Sequence, residues 1–167
     1  MGTRSWLVGG ALIRHGDGLV MVANRRRDRS VDWTPPGGVI DEGEELLDGL
    51  AREVREETGL VVERWTRLAY RVEVEAPDMA WHLRVEAWEA EVTGTIAIDD
   101  PDGIVEHVRH VTRLEAIELM QQSPPWIHVP VTAWLHSDAT IDTGLEPFFR
   151  FRLDGPDRRT ARAERLE

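Results

Sequence analysis

The chain has 167 residues, 41% hydrophobic and 31% charged, with 31 acidic against 20 basic side chains and no cysteine. That length fits one compact domain with at most a short appended tail. Lack of cysteine excludes disulfides, thiolate metal sites and cysteine nucleophiles. A net charge of −11 repels nucleic-acid backbones, so no long polynucleotide partner is expected.

In chain order, residues 5–14 alternate Trp6, Val8, Ala11 and Ile13 as a strand does. His15-Gly16-Asp17-Gly18 marks a turn, and Leu19–Ala23 reads as the returning partner of that first strand. Residues 24–32 are basic and irregular and contain Arg25, Arg26 and Arg27. Trp33-Thr34-Pro35-Pro36-Gly37-Gly38 cannot be a helix interior or a central strand. Residues 45–58 have helical spacing, and Gly59 stands where a helix-ending glycine would. Residues 60–75 and 80–92 form a hairpin around Pro77-Asp78, and Asp99–Gly103 is an acidic loop. Residues 104–111 then read as a strand, 114–122 as a helix stopped by Pro124-Pro125, 129–136 as a short helix and 146–153 as a last strand. Residues 157–167 are a charged tail expected to fray. The class is α+β, a mixed sheet between helices.

The length and spacing of the apolar segments leave no run of roughly 18 residues that could cross a bilayer, so no membrane partner is expected. Met1 to Trp6 lead into the first strand without signal-peptide features, and a cytoplasmic location is the default expectation. Seven tryptophans against one tyrosine are enough for some to stack on a flat ligand, although most indoles serve as core or rim.

The informative segment is Gly38 to Leu60. On a helix turning about 100° per residue, Leu46, Leu47, Leu50, Ala51 and Val54 form one apolar stripe. Glu53, Glu56 and Glu57 fall in an adjoining arc, with Glu57 at the stripe's border, so its carboxylate is expected to lie partly against the protein. Glu53 and Glu57 repel across one turn, by about 0.2–0.5 kcal/mol. Glu56 and Glu57 also occupy the last turn, where the helix dipole favours cations. Arg52 can offset part of this by pairing with Glu56. Local rules broken at clustered positions point to a functional site, and a divalent cation turns such repulsion into coordination. Hard oxygen ligands suit Mg²⁺ or Mn²⁺. A solvated acidic face is the plain alternative for three glutamates alone.

The wider spacing resembles the signature of the Nudix hydrolase family, G-x5-E-x7-R-E-U-x-E-E-x-G-U, where U is a bulky aliphatic residue. Gly38, Glu44, Arg52, Glu53, Val54, Glu56, Glu57, Gly59 and Leu60 match every fixed position. The resemblance implies a mixed sheet sandwiched between helices, with one Nudix domain over residues 1–156. It implies that Glu53, Glu56, Glu57 and the Gly38 carbonyl bind the metal, that Arg52 orients the glutamates, and that Glu44 supports the site. The reaction implied is hydrolysis of a nucleoside diphosphate linked to a further moiety X. Its products are a nucleoside monophosphate and phospho-X, or pyrophosphate when the substrate is a triphosphate.

A general base is also needed. Glu57 is preferred, with Glu56 the other candidate of the motif and Glu106, Asp100 and Asp102 candidates from later in the chain. Glu106 is taken as the auxiliary acid, in a stretch where His110 stands at the place of a family tryptophan. Arg25 and Arg27, with Arg26 between them, suit phosphate oxygens, and Trp33 is placed to stack on a base or to plug a sheet edge. His82 reads as a satisfied or exposed histidine. Elimination of subfamily motifs leaves the broad MutT-like group. The partners expected are a small nucleotide and, for assembly, a second copy in a homodimer. Against a hydrolase stand a non-catalytic nucleotide-sensing module, which would not need the complete motif, an isomerase relative that requires a cysteine, and a purely structural or interaction domain, which would leave the acidic cluster without a purpose.

Overall fold

The first apolar stretch forms strand β1, Arg4–Leu12, but its partner is not the segment that follows it. The structure, a computed structural model, describes residues 2–137, 146–158 and 160–167. After β1 the chain leaves the sheet, and only the two residues of β2, Arg14–His15, pair back onto β3, Gly18–Arg25. The expected hairpin between residues 5–14 and Leu19–Ala23 is therefore corrected to this short pairing. The reason lies in β3 itself: seven of its eight residues are buried. An unbroken apolar strand takes neighbours along both edges and both faces, and an edge against β1 would not supply them.

Next along the chain come β4 (Val31–Thr34), β5 (Gly37–Val39), helix α1 (Leu46–Thr58), β6 (Val61–Ala76) and β7 (Trp81–Thr93). Beyond them lie β8 (Val105–Val111), α2 (Arg113–Leu119), α3 (Pro125–His136), β9 (Phe148–Asp154) and β10 (Arg162–Leu166). A six-stranded mixed sheet runs β10-β9-β6-β7-β1-β5, and a smaller sheet gathers β2, β4 and β8 around β3. The expected mixed sheet between helices is thus present, joined by this smaller sheet. The charged tail expected to fray does not do so at residues 162–166, where β10 pairs antiparallel with β9 from Arg162↔Asp154 to Leu166↔Arg150.

Two cores follow from the alternation of side chains across the larger sheet. On one face Ala11 and Ile13 meet Leu50 and Val54 of α1, with Val20 of β3 and Ile40 closing the cluster. On the other, Leu12, Val72, Val74 and Phe151 pack with Leu19 and Met21 of β3 and with Val131 and Trp134 of α3. The helices α1 and α3 therefore cover opposite faces, as an α/β/α sandwich does.

Helix α1 is built as its sequence dictates, with Leu50 and Val54 fully buried. It stops at Gly59, whose φ of 76° is left-handed and whose N–H donates to the Arg55 carbonyl at 2.8 Å. Two of its terminal carbonyls are taken up by the segment after β7: Ala97 N–H donates to Thr58 O at 2.8 Å and Asp99 N–H to Glu56 O at 3.0 Å. Groups that a helix end leaves unpaired here anchor the acidic loop beside the helix.

Leu50 is fully buried against Gly9 of β1, where an added Cβ would stand 3.1 Å from Leu50 Cδ1. Leu50→Ala is expected to lower unfolding stability by about 2–5 kcal/mol. Leu114→Ala, at a side chain 76% exposed, is expected to change it by less than about 0.5 kcal/mol. Urea unfolding of both variants checks the pair.

Candidate active site

The short strand β5 brings the glycine loop against α1. Gly37 adopts φ 150°, and a Cβ there would lie 2.1 Å from the Gly9 carbonyl oxygen. Only glycine permits that approach. Gly38 is less tightly confined, since a Cβ on it would meet only the end of the Glu53 side chain, at 2.9 Å. Two adjacent residues without side chains thus let the backbone of the loop touch the acidic face of the helix.

On that face one guanidinium serves several carboxylates. Arg52 Nε and Nη2 donate to Glu44 Oε1 and Oε2 at 3.2 and 3.1 Å, a two-pronged pair. Its Nη1 donates to Glu53 Oε1 at 2.9 Å and to Glu56 Oε2 at 3.3 Å, and Asp41 lies 3.7 Å away. The hydrogen bonds from Arg52 hold the Glu44 carboxyl below its ordinary range. Glu53 is pushed the other way by burial, aided by the charges of Glu56 and Asp102 although Arg52 opposes them.

Glu57 is the buried member, 8% exposed. Its Oε2 accepts from Gly37 N–H at 2.8 Å. Burial nevertheless pushes its carboxyl up to about 8, helped by the nearby charges of Glu53, Asp100 and Glu56. The expectation that Glu57 lies against the protein matches this placement. Among the described residues no three His, Asp or Glu side chains stand gathered at metal-ligating separations; Arg52 and the Gly37 amide hold the carboxylate oxygens.

The glutamates open onto a cleft of about 860 Å³ between the two sheets. Of the acids beyond the helix, Asp100 and Asp102 line it and Glu106 does not. Glu106 is spent on an ion pair with Arg25. Asp100 accepts from the N–H groups of Asp102, Ile104 and Val105 at 3.1, 2.6 and 2.9 Å, which fixes the loop with Asp102 as its exposed acid at the cleft.

Among the three arginines, the cleft wall takes Arg26 and neither Arg25 nor Arg27. Arg26 is held by Asp32, with Nε to Oδ2 at 2.7 Å. Trp33 lies outside the cleft, partly packed on the larger core with Arg109 5.8 Å over its ring. His82 is paired with Glu73 at 2.7 Å. Sequence reasoning missed Arg158, Trp6, Trp81 and Trp126, which do line the cleft. The high tryptophan count was a signal for the last three, but spacing could not say which indoles face inward. Arg158 sits in the segment read as tail, and no local pattern marks it.

A family model described as NUDIX domain matches residues 6–135. The chain belongs to the Nudix hydrolase family. The RNA pyrophosphohydrolase of Novosphingobium aromaticivorans is 35% identical over 86 residues, covering 51% of this chain and 53% of that protein. Nudix hydrolase 7 of Arabidopsis thaliana is 40% identical over 67 residues, 38% of this chain and 23% of that one. The chain thus matches about half or less of the length of these curated relatives. Among solved structures, the MutT protein of Bacillus halodurans superposes with a TM-score of 0.64 at 20% identity, covering 95% of this chain and 97% of that one. The MutT NUDIX hydrolase of Burkholderia pseudomallei gives 0.62 at 22% identity, over 77% and 96%. These two support the fold. In this Nudix chain the motif from Gly38 to Leu60 is the loop, helix and glycine stop just described, and its three box glutamates share one cleft.

The raised Glu57 carboxyl has a consequence for metal-free protein. An unfolded glutamate loses its proton near 4.5 while the folded one keeps it to about 8. Folding then takes up a proton, so stability falls as pH rises through that window. Thermal melts in chelator are expected to show this decline in wild type and a flatter profile in Glu57→Gln, which also melts higher at pH 8. Parallel profiles for the two proteins would contradict the assignment.

Proposed function

We propose that the chain hydrolyses a pyrophosphate bond in a small nucleotide, a nucleoside diphosphate linked to X, in a reaction that depends on Mg²⁺ or Mn²⁺. The observation that carries the reading is the accumulation of carboxylates at one cleft. Asp41, Glu44, Glu53 and Glu56 share the single Arg52 guanidinium, and Glu57 lies buried beside them. Negative charge therefore remains in excess where a polyphosphate, itself an anion, would have to bind.

The donor set fits a hard divalent cation: carboxylate oxygens and a backbone loop stripped of side chains, with neither sulfur nor imidazole among them. Glu53, Glu56, Glu57 and the Gly38 carbonyl would hold it. When bound, such an ion supplies polarisation of a phosphoryl oxygen and a more acidic water. The protein's own groups do the rest. Arg52 positions Glu53 and Glu56, and Glu44 in turn fixes Arg52. Glu57 Oε2 is held by the Gly37 amide, leaving Oε1 to take the proton from the attacking water. Glu56 is the second box carboxylate able to do so. Arg26 and Arg158 on the wall provide guanidinium groups for phosphate oxygens.

The same charge count favours a small substrate. At −11 overall, a long RNA would be repelled along its length, whereas a free nucleotide needs only the local arginines. In this reading residues 1–156 act as one catalytic domain, to which the segment beyond adds Arg158 at the cleft and β10 at the edge of the larger sheet. Among the described residues no helix is long and apolar enough to cross a membrane.

In an assay of nucleoside triphosphates, nucleotide sugars, ADP-ribose and dinucleoside polyphosphates, metal-dependent release of phosphate products is expected from at least one class. Glu57→Gln is expected to reduce kcat on that substrate by roughly 10²–10⁴-fold while the protein stays folded. Wild-type turnover in the variant would refute the proposal.

A further inference from the structure

The cleft wall also carries Trp6, Trp81 and Trp126, together with Leu83, Val85 and the chain's single tyrosine, Tyr70. Tyr70 is 6% exposed. Among the described residues nothing forms a hydrogen bond with its hydroxyl, whereas buried polar groups almost always have a partner. Among the described residues the one sealed side-chain polar atom lacking a hydrogen bond is Arg150 Nε. The Tyr70 hydroxyl, equally without a partner among the described residues, is therefore not sealed, and Tyr70 is one of the residues that line the cleft.

The backbone places it there by design of the strand. The register of β6 against β7 shifts between Leu68 and Tyr70, so that Leu68 faces Trp88 while Tyr70 faces Ala87. Bulges of this kind re-aim side chains, and here the strand passes from the α1 side, where Trp65 packs, to the cleft side of Tyr70, Val72 and Val74. The ring is then fixed edge-on against Phe149, with centroids 5.9 Å apart and planes at 85°. A ring fixed on the core, an unsealed hydroxyl and three indoles lining the same cleft form a built feature, and among the described residues nothing uses the hydroxyl.

We propose that Tyr70 is a specificity-determining residue whose hydroxyl hydrogen-bonds a polar edge group of the substrate's nucleobase, held in the cleft among the tryptophans. The proposal rests on the reading of the substrate as a nucleotide. Aromatic walls hold any base by its flat faces. Such stacking does not discriminate, whereas a hydrogen bond to an edge group does, because a base lacking that group leaves the hydroxyl unpaired. Burial raises the phenol well above its ordinary range, so it stays protonated and available as a donor.

The test uses the full chain with Mg²⁺ and follows tryptophan fluorescence. Adenosine, guanosine, cytidine and uridine 5′-monophosphates and base-free ribose 5-phosphate are titrated into wild type and Tyr70→Phe. At least one nucleotide is expected to bind wild type tighter than ribose 5-phosphate. Tyr70→Phe is expected to weaken that nucleotide by roughly 5- to 50-fold, with ribose 5-phosphate unchanged. Without ligand the variant should melt at or above wild type, since it loses an unpaired hydroxyl and keeps the Phe149 contact. Equal weakening of every ligand, no weakening of any, or a variant that melts well below wild type would each overturn the proposal. Base discrimination lost in Tyr70→Phe, in a protein that cleaves nothing, would support this role and sink only the hydrolase reading. Cleavage unaffected by Tyr70→Phe for every base would do the reverse.

Discussion

Helix α1 must pack Leu50 and Val54 on the sheet while carrying three glutamates on the arc beside them, and these two demands organise the molecule. Burial of the apolar stripe fixes the helix's rotation, and with it the direction in which Glu53, Glu56 and Glu57 point. The glycine loop can then approach because Gly37 has no side chain to collide with the Gly9 carbonyl, and Gly38 leaves room for the Glu53 carboxylate. One arginine spreads its donors over the acids that result. The site is therefore a by-product of core packing in its position, and a departure from it in its charge.

That departure has a physical cost that a catalyst can use. Glu57 is held in a low-polarity setting with its ionised form disfavoured, and Glu53 leans the same way. Groups whose ionisation is poised by surroundings are characteristic of reactive sites. The acidic loop adds to the crowd, since backbone bonds to Thr58 and Glu56 pin it to the end of the helix. The same contacts that finish α1 thus deliver Asp100 and Asp102 to the cleft.

How much of this the sequence disclosed depended on whether the information was local. The helix, its stop at Gly59 and the box glutamates lie within one short segment, where the 3.6-residue period and the motif spacing act directly. Strand existence was equally plain for β6 and β7, which form one hairpin. Partner choice was not: β3 looks like the return arm of β1 until one asks where an unbroken apolar run finds two neighbours. The arginines show the same boundary. Arg25, Arg26 and Arg27 are chemically alike, yet Glu106 takes the first and only the second reaches the cleft. Arg158 and the three cleft tryptophans come from distant elements, and no spacing rule joins them. Residues 162–166 read as a charged tail because their pairing to β9 needs a partner strand that composition does not reveal.

In the function proposed, a dication resolves the carboxylate crowd on α1. Electron paramagnetic resonance of Mn²⁺ titrated into the protein tests it most directly, because free and bound Mn²⁺ give different signals. Wild type is predicted to remove Mn²⁺ from the free pool at a defined stoichiometry, with Glu53→Gln and Glu57→Gln each weakening that uptake at least tenfold. Free Mn²⁺ throughout a millimolar titration of wild type, or identical uptake by all three proteins, would contradict it.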